Sequence, residues 1–140
     1  MAGYEVETVS IDGRVTALGS AGKFTLVVDR PEEGGGGGHG FNGGQLLNLA
    51  VAGCISNDLF REAAGRALTL NRVRVTVESD YRGTPAVSTP IEYRVEVEGE
   101  GSEDDLRALV AYVDEIAEIP NSLRNGTPVS LVSSEVRTTG

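Results

Sequence analysis

One uncharged stretch, residues 45–57 (QLLNLAVAGCISN), limits what this chain can fold into more than any other part of it. The stretch is long enough for a helix, and apolar or small residues occupy almost every face of that helix. A surface helix shows a single apolar stripe, so a helix that is apolar all round is buried on most of its sides. Charged side chains return only from Asp58 onwards, where we expect the helix to emerge towards water. The single cysteine of the chain, Cys54, lies in the middle of this predicted central helix.

Length and composition favour one soluble domain that covers residues 1–140. The chain is 39% hydrophobic and 24% charged, and it is long enough to bury a core. No apolar run reaches the roughly 18 residues that a membrane helix needs, and the N-terminal residues lack the basic and apolar regions of a signal peptide. One cysteine cannot form an intramolecular disulfide, which fits a reducing compartment. We therefore predict a cytoplasmic protein without a membrane partner.

Charge and motif content argue against nucleic acids, metals and nucleotide cofactors. The formal net charge is −9, and a surface of that sign repels a phosphate backbone. One cysteine and one histidine cannot supply the four ligands of the usual structural zinc site. The glycine-rich run lacks the Gly-Lys-Ser/Thr of a phosphate loop, and Glu32 and Glu33 precede it. We predict no metal, no cofactor and no nucleic-acid partner.

The N-terminal half predicts three strands, a loop and the central helix. The strands are expected at residues 4–11, 14–18 and 23–29, joined by turns at 12–13 and 19–22, as an antiparallel meander. Residues 30–40 contain five consecutive glycines and predict a flexible loop. Asn42 is the expected N-cap of the central helix, which should end near residues 66–67.

The C-terminal half predicts two strands, a second helix and a last strand. Residues 70–80 and 91–98 alternate between apolar and polar side chains, so they should be antiparallel neighbours with one wet face, joined by a loop at 83–90. A capping box at Ser102 opens an amphipathic helix, and Pro120 should stop it. Residues 127–137 form the expected last strand. Since strands and helices do not alternate strictly, the fold class is α+β with antiparallel sheet.

Two interpretations of Cys54 follow from the sequence. A free cysteine on an apolar helix is commonly a small buried hydrophobe. The alternative is a nucleophilic or peroxidatic thiolate, which a mid-helix cysteine attains only if a cation, such as an arginine from a loop, stabilises it. A Cys–His pair with His39 would suit acyl transfer, although His39 lies within the glycine-rich loop.

Several segments in order resemble the OsmC/Ohr family. They are FTLVVDRP at residues 24–31, the glycine-rich loop, FNGGQLL at 41–47, AGC at 52–54 and NSLRNGTPV at 121–129. In that family a comparable loop and an Asn-Pro-Glu-x-Leu-Leu helix start precede an Ala-x-Cys on a long central helix. The resemblance covers essentially the whole chain.

The resemblance implies both a fold and an activity. The fold is α+β, with antiparallel sheets wrapped around long buried central helices in an intertwined homodimer. Active members are thiol-dependent peroxidases that reduce organic hydroperoxides. Their first cysteine is oxidised to a sulfenic acid, which a second cysteine resolves as a disulfide. An arginine and a glutamate hold the first thiolate at the dimer interface.

This chain departs from that pattern at two positions. The peroxidatic cysteine corresponds to Cys54, but the glutamate corresponds to Gly44, and no cysteine is present near residues 117–120 to resolve a sulfenic acid. The family's arginine corresponds either to Arg30 or to Arg14, of which Arg30 matches in register. A two-cysteine cycle within one chain is therefore impossible.

Two functions remain as expectations. The first is a one-cysteine peroxidase that uses Cys54 and Arg30, with a hydroperoxide substrate and an external thiol as reductant. The second is a non-catalytic homodimer that binds a small hydrophobic ligand in its interface pocket. Acyl transfer by Cys54 and His39 is a third and more distant hypothesis.

Overall fold

The computed structural model of the protein describes residues 3–140 and has the α+β organisation that the sequence predicts. Its elements in chain order are β1 (Glu7–Ser10), β2 (Ala17–Ala21), β3 (Phe24–Val28), a short 3-10 helix (Glu32–Gly34), α1 (Gly43–Gly65), β4 (Thr69–Glu78), β5 (Tyr81–Arg82), β6 (Val87–Ser88), β7 (Glu92–Glu100), α2 (Glu103–Ile116) and α3 (Glu118–Arg124). Within residues 3–140, no helix combines the length and the apolar character needed to cross a membrane.

The chain divides into two compact units. The first comprises the residues up to Gly53 together with Thr76–Arg94, and the second comprises Cys54–Val75 and Val95–Gly140. The division falls inside α1, β4 and β7, so three elements contribute residues to both units. The expectation of one domain over residues 1–140 stays a prediction.

The N-terminal meander is confirmed, with shorter strands than expected. Strands β1, β2 and β3 pair antiparallel in that order. The first turn lies at Asp12 and Gly13, both with positive φ, and the amide of Arg14 donates to the carbonyl of Ile11 at 2.9 Å. The second turn is shorter than the predicted turn at residues 19–22. Gly19 belongs to β2, and Ala21 already pairs with Phe24.

The glycine-rich segment is a folded loop rather than the flexible one that the sequence predicts. Its centre is the carboxylate of Asp29, a residue that is only 2% exposed. The hydroxyl of Thr16 donates to this carboxylate at 2.8 Å. The backbone amides of Arg30, Gly37 and His39 donate to it at 2.7, 3.2 and 3.1 Å. A buried carboxylate that accepts this many hydrogen bonds is well compensated for the loss of water.

Close backbone approaches require glycine at two positions of the loop. A Cβ at Gly36 would overlap the carbonyl oxygen of Arg30, and a Cβ at Gly40 would overlap that of Val27. Backbone atoms cannot move aside as a side-chain end can, so a larger residue at either position would force the loop open. Glycine at positions 36 and 40 is thus a packing requirement as well as a source of chain entropy.

Helix α1 begins and ends where the sequence predicts. The side chain of Asn42 accepts from the Gln45 amide at 2.9 Å, and the Gln45 side chain accepts from the Asn42 amide at 3.0 Å, which is a reciprocal capping box. Beyond Gly65, Ala67 has a φ of 54°, and the amide of Leu68 donates to the carbonyl of Ala63 at 3.0 Å. A left-handed residue of this kind commonly ends a helix.

The expectation that α1 is buried on most sides is wrong for the single chain. One stripe is fully buried, at Val51, Ile55 and Leu59 and at the alanine one turn further on. Other faces are open, since Leu49 is 49% and Phe60 47% exposed. One chain covers only a stripe of a helix whose composition is apolar all round.

Strands β4 and β7 confirm the predicted alternation and pair with each other. On their exposed face, Arg94 Nη1 lies 2.6 Å from Glu78 Oε1 and Arg74 Nη1 lies 3.8 Å from Glu96 Oε2. Arg74 precedes Glu78 along β4, whereas its partner Glu96 follows Arg94 along β7, so the two strands run antiparallel. Because all four side chains are exposed, the pairs contribute little stability.

The predicted loop at residues 83–90 is only partly correct. Strands β5 and β6 form a short hairpin in which Tyr81 pairs with Ser88 and Arg82 with Val87. The Thr84–Pro85 peptide bond within it is cis. Strands of two residues are too short to show an apolar period, so they could not be predicted from the sequence.

Helix α2 has the predicted cap but not the predicted end. The hydroxyl of Ser102 accepts from the Asp105 amide at 3.1 Å. The helix ends at Ile116, because Ala117 is extended, with a ψ of 125°. Pro120, which was expected to stop α2, lies instead in the first turn of α3. Backbone N–H groups in a first turn have no partner within the helix, so proline, which lacks this group, is tolerated there.

The last strand, expected at residues 127–137, does not form in this chain. Residues 127–140 have no regular secondary structure. Apolar side chains in this C-terminal tail stand almost fully in solvent, with Val129 97% and Val132 92% exposed. The alternating pattern that predicted a strand is present, but the tail pairs with no strand of its own chain.

The Asp29 carboxylate and the four groups that donate to it, here called the Asp29 cluster, predict how stability depends on pH. Burial raises the pKa of Asp29, but the hydrogen bonds from Arg30, Thr16, Gly37 and His39 outweigh it and lower that pKa from 3.8 to about 2. A depressed carboxyl pKa stabilises the fold above the unfolded value, and this contribution is lost as the pH falls from about 4 to about 2.

We therefore expect Asp29→Asn to lower the free energy of unfolding at neutral pH and to remove part of its decline below about pH 4. Denaturant unfolding at a series of pH values measures both effects. Glu33→Gln, at an exposed position in the same loop, is the control and should match the wild type. An Asp29→Asn protein with wild-type stability and pH dependence would contradict this account.

Candidate functional site

Cys54 lies near the middle of α1 and is half-buried. It follows Val51 and precedes Ile55 of the buried stripe, and it belongs to the second unit. The thiol is thus neither sealed in the core of the chain nor freely exposed. In a single chain this intermediate position is compatible with both interpretations of Cys54.

A buried carboxylate follows Cys54 by one helical turn. Asp58 is 7% exposed, so the expectation that α1 emerges into water at this residue is wrong. Its Oδ1 lies 3.2 Å from Arg61 Nη1, whereas its Oδ2 is buried without a hydrogen-bond partner among residues 3–140. Residues i and i+4 share a helix face, so this acid is on the same side of α1 as Cys54.

Arg30 directly follows the anchoring Asp29 and is exposed. Its backbone amide is held by the Asp29 carboxylate. Its guanidinium, in contrast, has no hydrogen bond and no ion pair within the described part of the chain. The other candidate cation, Arg14, lies in the turn between β1 and β2.

The structure leaves the pairing of the predicted site residues as a prediction. Arg30, Arg14 and His39 belong to the first unit and Cys54 to the second. The amide of His39 is part of the Asp29 cluster, so the histidine is held in a folded loop. Among residues 3–140, the His, Cys, Asp and Glu side chains form no cluster that could hold a metal ion.

A cavity of about 870 Å³ lies in the first unit beside Arg30. Its walls are the end of β3 with the following loop, the start of α1 and the residues that follow β4. Its volume is within the range of small-molecule sites, roughly 300–1,000 Å³. The lining includes Gly44, where the resemblance places the family's glutamate, but not Cys54.

Tyr81 occupies the space next to Gly44. A Cβ at Gly44 would lie 2.9 Å from Cε2 and 3.4 Å from the hydroxyl oxygen of Tyr81, whereas a Cβ at Gly43 would meet nothing within 4 Å. The ring of Tyr81 therefore lies where it would contact the Cβ of a larger residue at position 44. Sequence reasoning missed Tyr81, which lies in a strand too short to be recognised.

A side-chain pair ties two walls of the cavity together. Asn48 Nδ2 donates to Ser79 Oγ at 3.0 Å, and the hydroxyl of Ser79 lies 3.3 Å from Asn48 Oδ1. Asn48 is on α1 and Ser79 directly follows β4. The pair therefore sets the distance between the helix and the chain segment that carries Tyr81.

A family model described as OsmC-like protein matches residues 35–132 of this chain. No curated protein gives a significant match.

Solved structures of similar fold include three informative examples. An OsmC-like protein from Mycoplasma pneumoniae is 18% identical, covers 88% of each chain and superposes with a TM-score of 0.75. A Legionella pneumophila structure named as an organic hydroperoxide resistance protein OsmC is 25% identical, covers 89% of this chain and 92% of its own, and has a TM-score of 0.62.

The third example is a Vibrio cholerae protein named for organic hydroperoxide resistance, with captopril bound in one of its active sites. It is 20% identical, covers 89% of this chain and 87% of its own, and has a TM-score of 0.63. At 18% and 20% identity, the Mycoplasma pneumoniae and Vibrio cholerae structures show the shared fold alone.

Proposed function

The chain belongs to the OsmC-like family, and on that premise we propose that it is a one-cysteine, thiol-dependent peroxidase that reduces organic hydroperoxides through Cys54. The observation that carries the proposal is the single half-buried cysteine in the middle of the long helix α1. Support also comes from the 25% identical Legionella pneumophila structure, whose name refers to organic hydroperoxide resistance.

The proposed reaction begins at the sulfur of Cys54. The thiolate attacks the terminal oxygen of the hydroperoxide, so that an S–O bond forms and the O–O bond breaks. The departing alkoxide takes a proton and leaves as an alcohol, and the sulfur is oxidised by two electrons to a sulfenic acid.

Because the chain has no second cysteine, reduction needs external thiols. The first thiol condenses with the sulfenic acid, releases water and forms a mixed disulfide with Cys54. A second thiol attacks that disulfide, leaves as the oxidised external disulfide and restores the Cys54 thiol. The external dithiol or thiol pair thus supplies both electrons.

Arg30 is the cation that we assign to the thiolate. Its guanidinium is exposed and unpaired in the part of the chain that the structure describes, so it is available to an anion. A positioned guanidinium stabilises a thiolate by charge and by hydrogen bonds. Position 44 supplies no glutamate, since it is a glycine beside which Tyr81 lies.

The proposed active form is a homodimer. Apolar side chains of α1, such as Leu49 and Phe60, are exposed in the single chain. Apolar side chains of the C-terminal tail are exposed as well. Strands β4 and β7 form a sheet of two strands, and such a sheet is marginally stable without further strands. A second copy could cover all of these surfaces at once.

The cavity in the first unit favours a second candidate function. A non-catalytic dimer could use a pocket of this size to hold a small hydrophobic ligand, with Cys54 as an inert apolar residue. In that case, Cys54→Ser would fold, dimerise and bind its ligand as the wild type does.

We expect the wild type to consume cumene hydroperoxide in the presence of excess dithiothreitol and Cys54→Ser to show only the uncatalysed rate. Arg30→Gln should lower the turnover by at least about tenfold, because a charge-assisted interaction with the thiolate is lost. Arg82→Gln, at an exposed position that does not line the cavity, is the control.

Trapping with dimedone tests the same step chemically, since the reagent should label Cys54 only after exposure to the hydroperoxide. A wild type that turns over no faster than Cys54→Ser and takes up no dimedone would rule out the peroxidase.

Light scattering tests the dimer. We expect the wild type at twice 14.7 kDa and Val129→Ser/Leu131→Ser to raise the dissociation constant at least tenfold, because each side chain loses about 1.5–3 kcal/mol of burial. Ser130→Ala/Ser133→Ala, in the same tail, is the control. A wild type that stays at 14.7 kDa at every concentration would refute the dimer.

A further inference from the structure

The wall of the cavity in the first unit carries hydrogen-bond donors that have no partner within residues 3–140. Its acceptors are largely engaged, because Asp29 accepts four hydrogen bonds and the side-chain oxygens of Asn42 and Gln45 each accept from the other residue's amide. Donors at the wall without a partner in the described part of the chain include the Arg30 guanidinium and the Tyr81 hydroxyl. Such a surface is complementary to a ligand that accepts hydrogen bonds.

The charges around the cavity select an anion of low charge. Arg30 is the cation among its lining residues, and the carboxylates of Asp29 and Asp80 also border it. Asp80 Oδ1 accepts from the Tyr81 amide at 2.8 Å, which leaves its second oxygen open. One guanidinium can balance one negative charge, whereas a dianion would also face Asp80 and a protein of net charge −9.

The remaining wall is apolar. Val15, Val28 and Pro31 line the cavity together with the ring of Tyr81. A guanidinium matches a planar carboxylate through two parallel hydrogen bonds, which a spherical anion cannot use as well. An apolar body attached to that carboxylate would lie against the valines and the proline.

We infer that this cavity binds a monocarboxylate with an apolar body, whose carboxylate pairs with the Arg30 guanidinium and accepts a hydrogen bond from the Tyr81 hydroxyl. The residues involved lie in the first unit and do not include Cys54. The inference shares Arg30 with the proposed peroxidase and specifies the ligand of the second candidate function. Binding is therefore tested in a Cys54→Ser background, where no peroxidase chemistry takes place.

Octanoate is the probe, with octan-1-ol as its uncharged counterpart and octyl phosphate as its dianionic one. Calorimetric titration should show saturable binding of one octanoate per chain, and octan-1-ol and octyl phosphate should each bind at least tenfold more weakly. Equal or tighter binding of either counterpart would overturn the assignment to a monocarboxylate.

Variants of the cavity wall test the residues. We expect Arg30→Gln to weaken octanoate at least tenfold and Tyr81→Phe about threefold, since the second loses one neutral donor. Arg30→Lys should lie between Arg30→Gln and the parent, because it keeps the charge but not the planar fork. Arg82→Gln, next to Tyr81 but outside the cavity, is the control.

A matched glycine pair tests the position of the tyrosine ring. Gly44→Ala should weaken octanoate, because the new methyl group displaces Tyr81, whereas Gly43→Ala should not, because its methyl group meets nothing. Circular dichroism checks that each variant is folded. Unchanged octanoate affinity in folded Arg30→Gln, or no saturable binding to the parent, would refute the inference, whatever the peroxidase assay of the wild type shows.

Discussion

The loop between β3 and α1 depends on the buried carboxylate of Asp29. Its hydrogen bonds to a threonine hydroxyl and three backbone amides close the glycine-rich segment onto the meander. The closed loop brings Phe41 beside β3, where its amide donates to the Val27 carbonyl at 3.0 Å. Helix α1 starts two residues later. The position of Arg30, the start of α1 and the cavity between them therefore depend on one side chain.

Much of the apolar surface of the chain has no cover in the single copy. The open faces of α1 and the exposed tail carry the side chains that led the sequence to predict a helix buried on most sides and a last strand. Both predictions assumed that apolar surface must be buried, and the single chain leaves these surfaces exposed. We interpret these two departures as the signature of the proposed homodimer.

Local patterns in the sequence predicted helix caps and strands correctly. Contacts between residues distant in sequence could not be predicted from such patterns. The caps at Asn42 and Ser102 and the alternation in β4 and β7 depend on residues a few positions apart. Asp29 and Tyr81, in contrast, act through partners that are distant in sequence or through backbone atoms. A glycine run then looks flexible, and an acid such as Asp58 looks exposed, because composition does not show which surface a side chain meets.

The most direct test of the proposed chemistry is the alkylation of Cys54 at neutral pH, with and without prior exposure to one equivalent of cumene hydroperoxide. A peroxidatic thiol should be alkylated readily in the untreated protein, blocked after the hydroperoxide, and restored by dithiothreitol, since a sulfenic acid is reducible by thiols. Alkylation that is equally slow or equally fast with and without the hydroperoxide would contradict the one-cysteine peroxidase.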